Sequence, residues 1–257
     1  MVEELVRLTN ISKTYGKVRA LDAISVVVHE REIVGLVGDN GAGKSTLVKI
    51  LSGSTKADHG EISFRGRRVS IKKPRDAIGL GIETIHQDSA LVMQLSVARN
   101  LFLGREPTKS LGLFRLLNKP MMRSETAALL EKVGITKGID PDARIVGLSG
   151  GERQAIAIAR AMYFEADLII LDEPTNNLGI EESAMVLQYM REAKENGHSS
   201  IFITHNIYHV FQVVDRIVIL RRGRMVADVR RDETSVEEIE KLITGLLESR
   251  WSTPTAS

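Results

Sequence analysis

The sequence contains no cysteine. This absence excludes a disulfide framework, a zinc site built on thiolates and a cysteine nucleophile, and it favours the reducing cytoplasm as the setting. Long apolar runs are also missing, since stretches such as Leu168 to Leu171 are far shorter than the ~20 residues that a membrane-spanning helix needs. The amino terminus, Met1 to Glu4, lacks the basic and then apolar layout of a signal peptide. We therefore expect a cytoplasmic protein that reaches a membrane only through partners.

No charge of one sign predominates either. Lysine and arginine together number 35 and aspartate and glutamate 33, a balance of +2, and the charges are interspersed along the chain. Nucleic-acid-binding proteins usually carry a basic patch or stripe, so we expect no nucleic-acid partner. The 257 residues, 43% of them hydrophobic, are enough to bury a full core.

Short apolar runs of strand length alternate with helix-like segments through most of the chain. Ile33 to Val37, Leu168 to Leu171 and Ser200 to Thr204 are typical of buried parallel strands, and the pattern between the last two predicts a helix over Glu181 to Asn196. Strands that alternate with helices imply a parallel sheet with right-handed crossovers. The alternating pattern from Leu5 to Val28 instead predicts antiparallel strands at one edge.

Three local patterns complete this prediction. Turn signals around Asp22 indicate a break within the antiparallel segment. The stretch from Leu91 to about Val146 has helical periodicity interrupted by loops, which predicts a helical insertion. Near the carboxyl end, Thr234 and Glu237 have the spacing of a capping box that would begin a last helix running to about Leu247.

The most informative stretch is Gly38 to Ser45, which lies between a predicted buried strand and a helix. Its glycines let the backbone curl so that successive N–H groups face phosphate oxygens, and the helix start adds its positive end. Lys44 would reach the outer phosphates, and the Ser45 hydroxyl would contact a magnesium ion. The alternative is an ordinary glycine-rich turn, but a strand before and a helix after are the setting that a phosphate-binding loop requires.

Two adjacent carboxylates, Asp172 and Glu173, end the apolar run that begins at Leu168. Ligands of open α/β sheets bind at the carboxyl ends of the strands, where a buried strand can carry ionisable groups. Asp172 would bind the magnesium, usually through its water, and Glu173 would polarise the water that attacks the γ-phosphorus. The alternative is a solvated acidic turn. A phosphate-binding loop in the same chain favours the catalytic interpretation.

A second helix with an anion-receptive start is predicted to begin after Ser149. Serine is a good N-cap, and Gly150 and Gly151 leave the first backbone amides of the helix accessible. The alternative is a plain capped helix. The order of the three motifs along the chain favours the anion-binding interpretation.

With these motifs the chain resembles the nucleotide-binding subunit of an ATP-binding-cassette (ABC) transporter, over essentially its whole length from Leu5 to Leu247. Gly38 to Ser45 is similar to the Walker A loop, Leu168 to Glu173 to the Walker B strand, and Leu148 to Glu152 to the family signature. The resemblance implies an ATPase that uses ATP and Mg²⁺.

The resemblance also implies roles for single residues. Tyr15 is similar to the aromatic residue that stacks on adenine, although a hairpin tyrosine is as common. Gln87 is similar to the glutamine that senses magnesium and joins the helical part; alone it would be a polar loop residue. His205 is similar to the switch histidine that touches the γ-phosphate, although an unassigned histidine is more often structural.

The implied nucleotide contacts are Tyr15, Gly38, Asn40, Gly41, Ala42, Gly43, Lys44, Ser45, Thr46, Ser149, Gly150 and Gly151. The implied magnesium contacts are Ser45, Gln87 and Asp172, and the implied catalytic residues are Lys44, Glu173 and His205.

The implied fold is α/β. It has a P-loop NTPase core of the RecA type with a mostly parallel sheet, an N-terminal antiparallel β subdomain and an inserted α-helical subdomain. We expect one nucleotide-binding domain over residues 1–257, with the core and β subdomain over 1–87 and 163–248 and the helical subdomain over 88–162. Residues 249–257 are expected to form a frayed tail.

The resemblance implies partners as well. Two cassettes of this family meet head to tail, so that the signature helix of one closes over the nucleotide of the other. We expect a homodimer, or pairing with a second cassette, together with transmembrane permease subunits and, indirectly, a solute-binding protein. This arrangement would place the chain on the inner face of the cell membrane.

A narrower resemblance concerns the type of transporter. Ile85 to Glu106 and the variant Asn176 to Gly179 are similar to bacterial importer cassettes for monosaccharides such as ribose, xylose or fructose. Two positions depart from the common family pattern, because Glu152 replaces Gln and Gly179 replaces Asp. We expect little effect at Glu152. Glycine at position 179 calls into question the cross-dimer contact credited to that Asp, so Gly179 is not among the implied site residues.

Two rival functions would leave other features in the sequence. A soluble ABC-type ATPase acting on nucleic acid or the ribosome would carry a coiled-coil insertion, a cysteine zinc site or two cassettes with a basic linker, and the sequence has none of these. A nucleotide-binding regulator without turnover would have lost Glu173 or His205, and both are present.

Overall fold

The computed structural model describes residues 3–85, 91–111, 114–132 and 138–247, which form two larger sheets, one small sheet and the helices packed on them. The strands are β1 (Glu4–Tyr15), β2 (Val18–His29), β3 (Ile33–Val37), β4 (His59–Phe64), β5 (Arg67–Val69), β6 (Ile82–Ile85), β7 (Thr108–Leu111), β8 (Phe114–Leu117), β9 (Leu168–Asp172), β10 (Ser199–Ile203), β11 (Arg216–Arg221) and β12 (Arg224–Arg230). The helices are α1 (Lys44–Leu51), α2 (Pro74–Gly79), α3 (Val97–Leu101), α4 (Lys119–Lys132), α5 (Gly150–Tyr163), α6 (Ile180–Glu195), α7 (Ile207–Val213) and α8 (Val236–Thr244).

The six-stranded sheet has the order β12-β11-β3-β10-β9-β6, and every pairing in it except β11 with β12 is parallel. All five residues of β3 are buried, as the continuous apolar run predicts for a strand covered on both faces. Ile33 and Val37 pack in the cluster that contains α5 and α6, whereas Val34 and Leu36 pack in the cluster that contains α1 and the antiparallel sheet. The predicted parallel core is therefore confirmed, with its hydrophobic residues divided between the two faces of one sheet.

The amino-terminal strands form a separate antiparallel sheet of order β2-β1-β4-β5, as the alternating pattern predicts. The expected turn around Asp22 is wrong, because β2 continues through this residue to His29. Ala23 has a φ of 52°, and the β1–β2 register shifts opposite it, between Ile11 and Lys13. The turn-like residues thus mark a bulge, which bends a strand without ending it.

The segment between β6 and α5 contains the predicted helices α3 and α4, but it is not purely helical. β7 and β8 form a two-stranded antiparallel sheet there, which the sequence interpretation missed. Phe114 is 72% exposed and Leu116 47%, so this hairpin has little buried face to produce a clear alternating pattern. Short strands without a buried side give no periodic signal that a sequence analysis can detect.

The last helix begins one residue later than predicted. Ser235 is the N-cap, because its hydroxyl accepts the backbone N–H of Glu238 at 3.2 Å. The expected pair of Thr234 and Glu237 is therefore wrong, although the Thr234 hydroxyl donates to the Glu238 carboxylate at 3.0 Å. Gly245, with a φ of 80°, ends the helix. The predicted frayed tail, 249–257, lies outside the described residues.

Within the ranges given above, no helix is long and apolar enough to cross a membrane.

A charged network ties the two larger sheets together at the amino-terminal end of β3 and β11. The Arg216 guanidinium donates to Glu32 at 2.7 Å, to Asp228 at 2.5 and 2.7 Å, and to the backbone carbonyl of Val27 in β2. These three charged side chains are only 12 to 14% exposed. Burial acts to lower the pKa of Arg216, but the paired carboxylates outweigh it and raise that pKa. Each charge is therefore compensated by hydrogen bonds, as a buried ion pair requires.

We predict that Glu32→Gln lowers the free energy of unfolding by about 2 to 3 kcal/mol, because it leaves Arg216 partly uncompensated in a shielded position. Urea denaturation at neutral pH would measure this loss. The matched control is Glu61→Gln, whose partner Arg68 is exposed, and it should cost at most about 0.5 kcal/mol. Equal effects of the two changes would contradict the structural role of the network.

The loss of stability caused by Glu32→Gln should depend on pH. Burial acts to raise the pKa of Glu32, but the Arg216 contact outweighs it, and the folded-state pKa lies below the ordinary 4.5. The stabilisation from ionised Glu32 is therefore complete above pH 4.5 and is lost as pH falls through the lowered pKa. We expect the difference between wild type and Glu32→Gln to shrink only in that acid range.

Candidate functional site

The loop between β3 and α1 has a backbone that only glycine can supply at two positions. Gly38 has a φ of 146° and Gly43 a φ of 109°, both in the region that favours glycine. A Cβ on Gly38 would lie 2.1 Å from the carbonyl oxygen of Leu220, and one on Gly43 would lie 2.7 Å from that of Ala20. The loop is thus packed directly on neighbouring backbone, which fixes its curl.

A single turn anchors this loop to both larger sheets. Gly223, in the turn between β11 and β12, donates its N–H to the Ala42 carbonyl of the loop at 3.0 Å. Its own carbonyl accepts the N–H of Asp22 in β2 at 2.8 Å. The loop from Gly38 to Gly43 therefore packs against the central sheet on one side and is linked through Gly223 to the antiparallel sheet on the other.

Lys44 is the first residue of α1, and only 8% of it is exposed. Its ammonium donates to the carbonyls of Gly38 at 2.5 Å and Asp39 at 3.0 Å, so the side chain folds back over the loop. Burial lowers the pKa of Lys44, and the nearby charges of Glu173, Asp39 and Asp172 partly counteract this. The loop thus presents a cation that is held in place by the loop's own carbonyls.

The two predicted carboxylates stand at the carboxyl end of β9. Asp172 is its last residue, and Glu173 follows with a φ of 51°, an uncommon value for a residue with a side chain. The backbone N–H of Glu173 donates to the carbonyl of Ile203, the last residue of β10, at 2.9 Å. This bond holds Glu173 in a conformation that costs energy, a feature that often accompanies functional sites.

His205 lies two residues beyond the end of β10 and meets Glu173 from the neighbouring strand. Its Nδ1 is 3.0 Å from a carboxylate oxygen of Glu173. The His205 side chain is 66% exposed, whereas that of Glu173 is 17% exposed. Behind this pair, His209 contacts the Thr175 hydroxyl at 3.0 Å, and burial, together with the charge of His205, lowers the pKa of His209. His205 is thus the solvent-facing member of the pair.

These groups surround one cleft of about 550 Å³. It is lined by Val18, Arg19, Ala20, Asn40, Gly41, Ala42, Gly43, Lys44, Ser45, Thr46, Asp172, Glu173, Asn176, Ile203 and His205. The structure thus unites the loop from Asn40 to Thr46, both carboxylates and the histidine that the sequence singled out, whereas Gly38, also a predicted nucleotide contact, does not line the cleft. The start of β2 and Asn176 also line the cleft, and the sequence interpretation did not place them in the site. Asn176 comes three residues after Glu173, and this proximity in the chain is the signal that could have placed it there.

Other predicted residues do not line this cleft. Tyr15 ends β1, is 46% exposed and has the Lys13 ammonium 5.5 Å from its ring centre, while residues across the turn in β2 line the cleft instead. Gln87 lies outside the described residues. Ser149, Gly150 and Gly151 are at the start of α5 and are not part of the cleft.

The start of α5 has the capping predicted for it. The Ser149 hydroxyl accepts the N–H of Glu152 at 3.3 Å, and the Glu152 carboxylate accepts the N–H of Ser149 at 2.8 Å. This reciprocal arrangement is a capping box, in which glutamate and glutamine serve equally. Glu152 therefore makes the contact that the commoner glutamine could make.

The cleft also suits a magnesium ion. Ser45 and Asp172 both line it and offer oxygen ligands, which this ion prefers. Among the described residues there is no cluster of three or more carboxylate or histidine side chains that could hold a metal. Magnesium usually keeps several waters and binds through one or two protein groups plus substrate phosphates. The Ser45 hydroxyl and the Asp172 carboxylate are therefore enough protein ligands for this ion.

Comparison with known proteins decides the family. The sequence profile of the ABC transporter family matches residues 21–176. The chain belongs to the ABC transporter family. Membership confirms the resemblance and makes the chain an ATPase with a nucleotide-binding site.

Individual relatives support this over the full length. The chain is 43% identical to the xylose/arabinose import ATP-binding protein XylG of Sulfolobus acidocaldarius, across 95% of each chain. It is 37% identical to the fructose import ATP-binding protein FrcA of Rhizobium meliloti, across 96% of each chain. It is 40% identical to the ribose import ATP-binding protein RbsA of Chromobacterium violaceum, of which it spans about half, 47%.

Solved structures confirm the fold class. A nucleotide-free ATP-binding cassette from an ABC transporter superposes with a TM-score of 0.79 at 25% identity, covering 94% of this chain and 95% of the other. The ADP conformation of the ABC transporter cassette MJ1267 gives the same TM-score at 26% identity and the same coverage. The α/β P-loop NTPase fold, with its antiparallel β part, is therefore confirmed.

We predict that Gly38→Ala destabilises the protein by about 2 to 4 kcal/mol, because its Cβ would overlap the Leu220 carbonyl. Thermal unfolding followed by circular dichroism would measure the shift. The control is Gly79→Ala, since a Cβ at the end of α2 meets nothing within 4 Å and should be neutral or slightly stabilising. A wild-type melting temperature for Gly38→Ala would contradict the packed-loop geometry.

Proposed function

We propose that this chain is the ATP-hydrolysing subunit of a membrane importer for a monosaccharide. The proposal that the chain hydrolyses ATP rests on the contact between His205 and Glu173, which line the same cleft as the glycine-rich loop before α1. The solute class is supported by the full-length relatives XylG and FrcA, which are import ATP-binding proteins for xylose/arabinose and fructose.

The loop and α1 are proposed to bind the phosphates of ATP. The backbone amides from Gly38 to Ser45, the positive end of α1 and the ammonium of Lys44 form an anion-binding cradle. Asn40 and Thr46 complete the loop side of the cleft. Ser45 and Asp172, with Gln87, would hold magnesium, which supplies charge neutralisation to the phosphates when bound.

Glu173 and His205 are proposed to carry the hydrolytic step. Glu173 would orient the attacking water and accept its proton, since its carboxylate lies within the cleft and is largely shielded from solvent. His205 would hold this carboxylate in place through the 3.0 Å contact and present its exposed ring to the γ-phosphate. Lys44 would stabilise the charge that develops on the transferred phosphoryl group.

The start of α5 is proposed to act on a second copy of the chain. Ser149, Gly150 and Gly151 carry the family signature but do not line the cleft of their own chain. In a head-to-tail homodimer, or a pair with another cassette, this helix start would close over the partner's nucleotide. Tyr15, at the exposed end of β1, would then contact the adenine.

The subdomain boundaries proposed are 1–87 and 163–248 for the core and β part, and 88–162 for the helical part, with the β7–β8 hairpin included in the latter. Transmembrane permease subunits are proposed as partners and a solute-binding protein as an indirect one, which places the chain on the inner face of the membrane. The alternative, an ATPase acting on nucleic acid or the ribosome, is disfavoured by the import relatives and by the near-neutral charge balance of +2.

We predict that Glu173→Gln lowers kcat for ATP hydrolysis by about 10² to 10⁴, because it removes the group that accepts the proton from water. ATP binding should persist, and the variant should accumulate as a closed dimer with ATP, detectable by size-exclusion chromatography with light scattering. Lys44→Ala is the comparison: it should weaken ATP binding by at least about tenfold and yield no dimer. Wild-type turnover in Glu173→Gln would contradict the assignment.

We further predict that the chain, isolated from solubilised membranes of its source, carries permease subunits with it. Reconstituted with those subunits and their solute-binding protein, its ATPase rate should rise with a pentose or a hexose and not with a disaccharide. The catalytically inactive Glu173→Gln complex provides the background rate. Co-isolation with ribosomes or nucleic acid in place of permeases would refute the importer assignment.

A further inference from the structure

The carboxylate of Glu182 joins the starts of two helices. One oxygen accepts the N–H of Gly179, the N-cap of α6, at 3.1 Å. The other oxygen accepts the N–H of Gly151, in the first turn of α5, at 3.4 Å. Glu182 therefore caps its own helix and at the same time lies on the amino-terminal end of the signature helix.

The glycines at the start of α5 make this contact sterically feasible. A Cβ on Gly150 would lie 2.3 Å from a methyl carbon of Leu178, and one on Gly151 would lie 3.1 Å from the Cβ of Glu182. Without side chains at these two positions, the start of α6 packs directly against the start of α5. The backbone N–H groups of Gly179 and Gly151, followed by the Ser149 hydroxyl and the backbone N–H of Gly150, lower the pKa of Glu182, so the carboxylate is ionised at neutral pH.

The start of α5 therefore already holds an anion that belongs to the same chain. The Ser149 hydroxyl of the capping box accepts the N–H of Glu152, so the capping box itself does not occupy the amides of Gly150 and Gly151. The Glu182 carboxylate is within hydrogen-bond distance of the Gly151 amide. Its negative charge partly neutralises the positive end of the α5 dipole, so a further anion is stabilised less at this helix end. A phosphate that approaches the same amides meets a fixed carboxylate of like charge.

We propose that Glu182 is an internal substitute for phosphate at the start of α5, and that it must release these amides when the nucleotide of a second copy arrives. Glu182 is thus a positioning residue that sets the ATP concentration at which two copies join. This inference rests on the proposed function, in which α5 closes over the partner's nucleotide. Two such carboxylates oppose closure in a symmetric dimer, one at each composite site.

A substitution that removes the negative charge of Glu182 but keeps its hydrogen-bond acceptor separates the repulsion of phosphate from the capping of α6. Glutamine at position 182 keeps an oxygen for the Gly179 amide but has no negative charge to repel phosphate. Glu181 provides the matched control, because it is the exposed neighbouring carboxylate in the same first turn of α6. Glu181→Gln removes the same charge from the same helix end and leaves the α5 contact intact.

The experiment uses the full chain in the Glu173→Gln background and titrates ATP while light scattering reports the dimer fraction. We expect Glu182→Gln to lower the ATP concentration at half-maximal dimerisation by about three- to tenfold and Glu181→Gln by less than about twofold. The difference should shrink in 1 M salt, where the Debye length falls to about 3 Å. Binding of a fluorescent ATP analogue to the monomer should be the same in all three proteins, since Glu182 is not part of the cleft.

Each other outcome is decisive. Equal midpoints for Glu182→Gln and Glu181→Gln would overturn the inference and leave the proposed dimer intact. A higher midpoint in Glu182→Gln, or the same decrease in Glu182→Asp, which retains the charge, would show a purely structural cap and would also overturn it. If Glu173→Gln alone forms no dimer at any ATP concentration, the proposed composite site is wrong and this inference falls with it.

Discussion

The parallel pairing of β3, β10 and β9 is the constraint on which the site depends. Ile203 pairs with Leu36 on one side and with Asp172 on the other, so β9 and β10 end at the same level and β3 ends one residue beyond it. The N–H of Glu173 then donates to the Ile203 carbonyl and extends the ladder by one residue beyond Asp172. Parallel strands place their carboxyl ends at one edge, and this edge is where the loop, the carboxylates and the histidine meet.

Much of this arrangement could be predicted from the sequence because it rests on local signals. The buried run Ile33–Val37 and the glycines after it define a strand and a loop whose conformation excludes other residues. The contact between Glu173 and His205 joins residues 32 apart, and the sequence interpretation assigned each of them to the γ-phosphate without predicting that they touch. Side-chain pairing between strands depends on register, and no local pattern reports register between distant segments.

The parts that the sequence interpretation missed share a different cause. The β7–β8 hairpin exposes its apolar side chains, so it leaves no periodic pattern. Ser235 and Thr234 are both good N-cap residues, and local sequence gives no preference between them, whereas the structure makes Ser235 the cap of α8. Glu182 resembles any acidic residue in the first turn of a helix, because its contact with Gly151 depends on how closely α5 and α6 pack. In each case tertiary packing selects among options that local chemistry leaves equal.

The departure from the family pattern at Gly179 lies beside the carboxylate of Glu182. The backbone of Gly179 is extended, with a φ of −66° and a ψ of 171°, and an added Cβ would come no closer than 3.9 Å to its neighbours. Neither conformation nor space therefore requires glycine there. An aspartate at this N-cap position would accept the amides of α6 itself and place a second negative charge beside the Glu182 carboxylate. Glycine offers no side-chain acceptor to the first amides of α6, while the Glu182 carboxylate accepts the N–H of Gly179 with one oxygen and that of Gly151 with the other. Glycine at position 179 thus avoids a like charge beside the bridging carboxylate of Glu182.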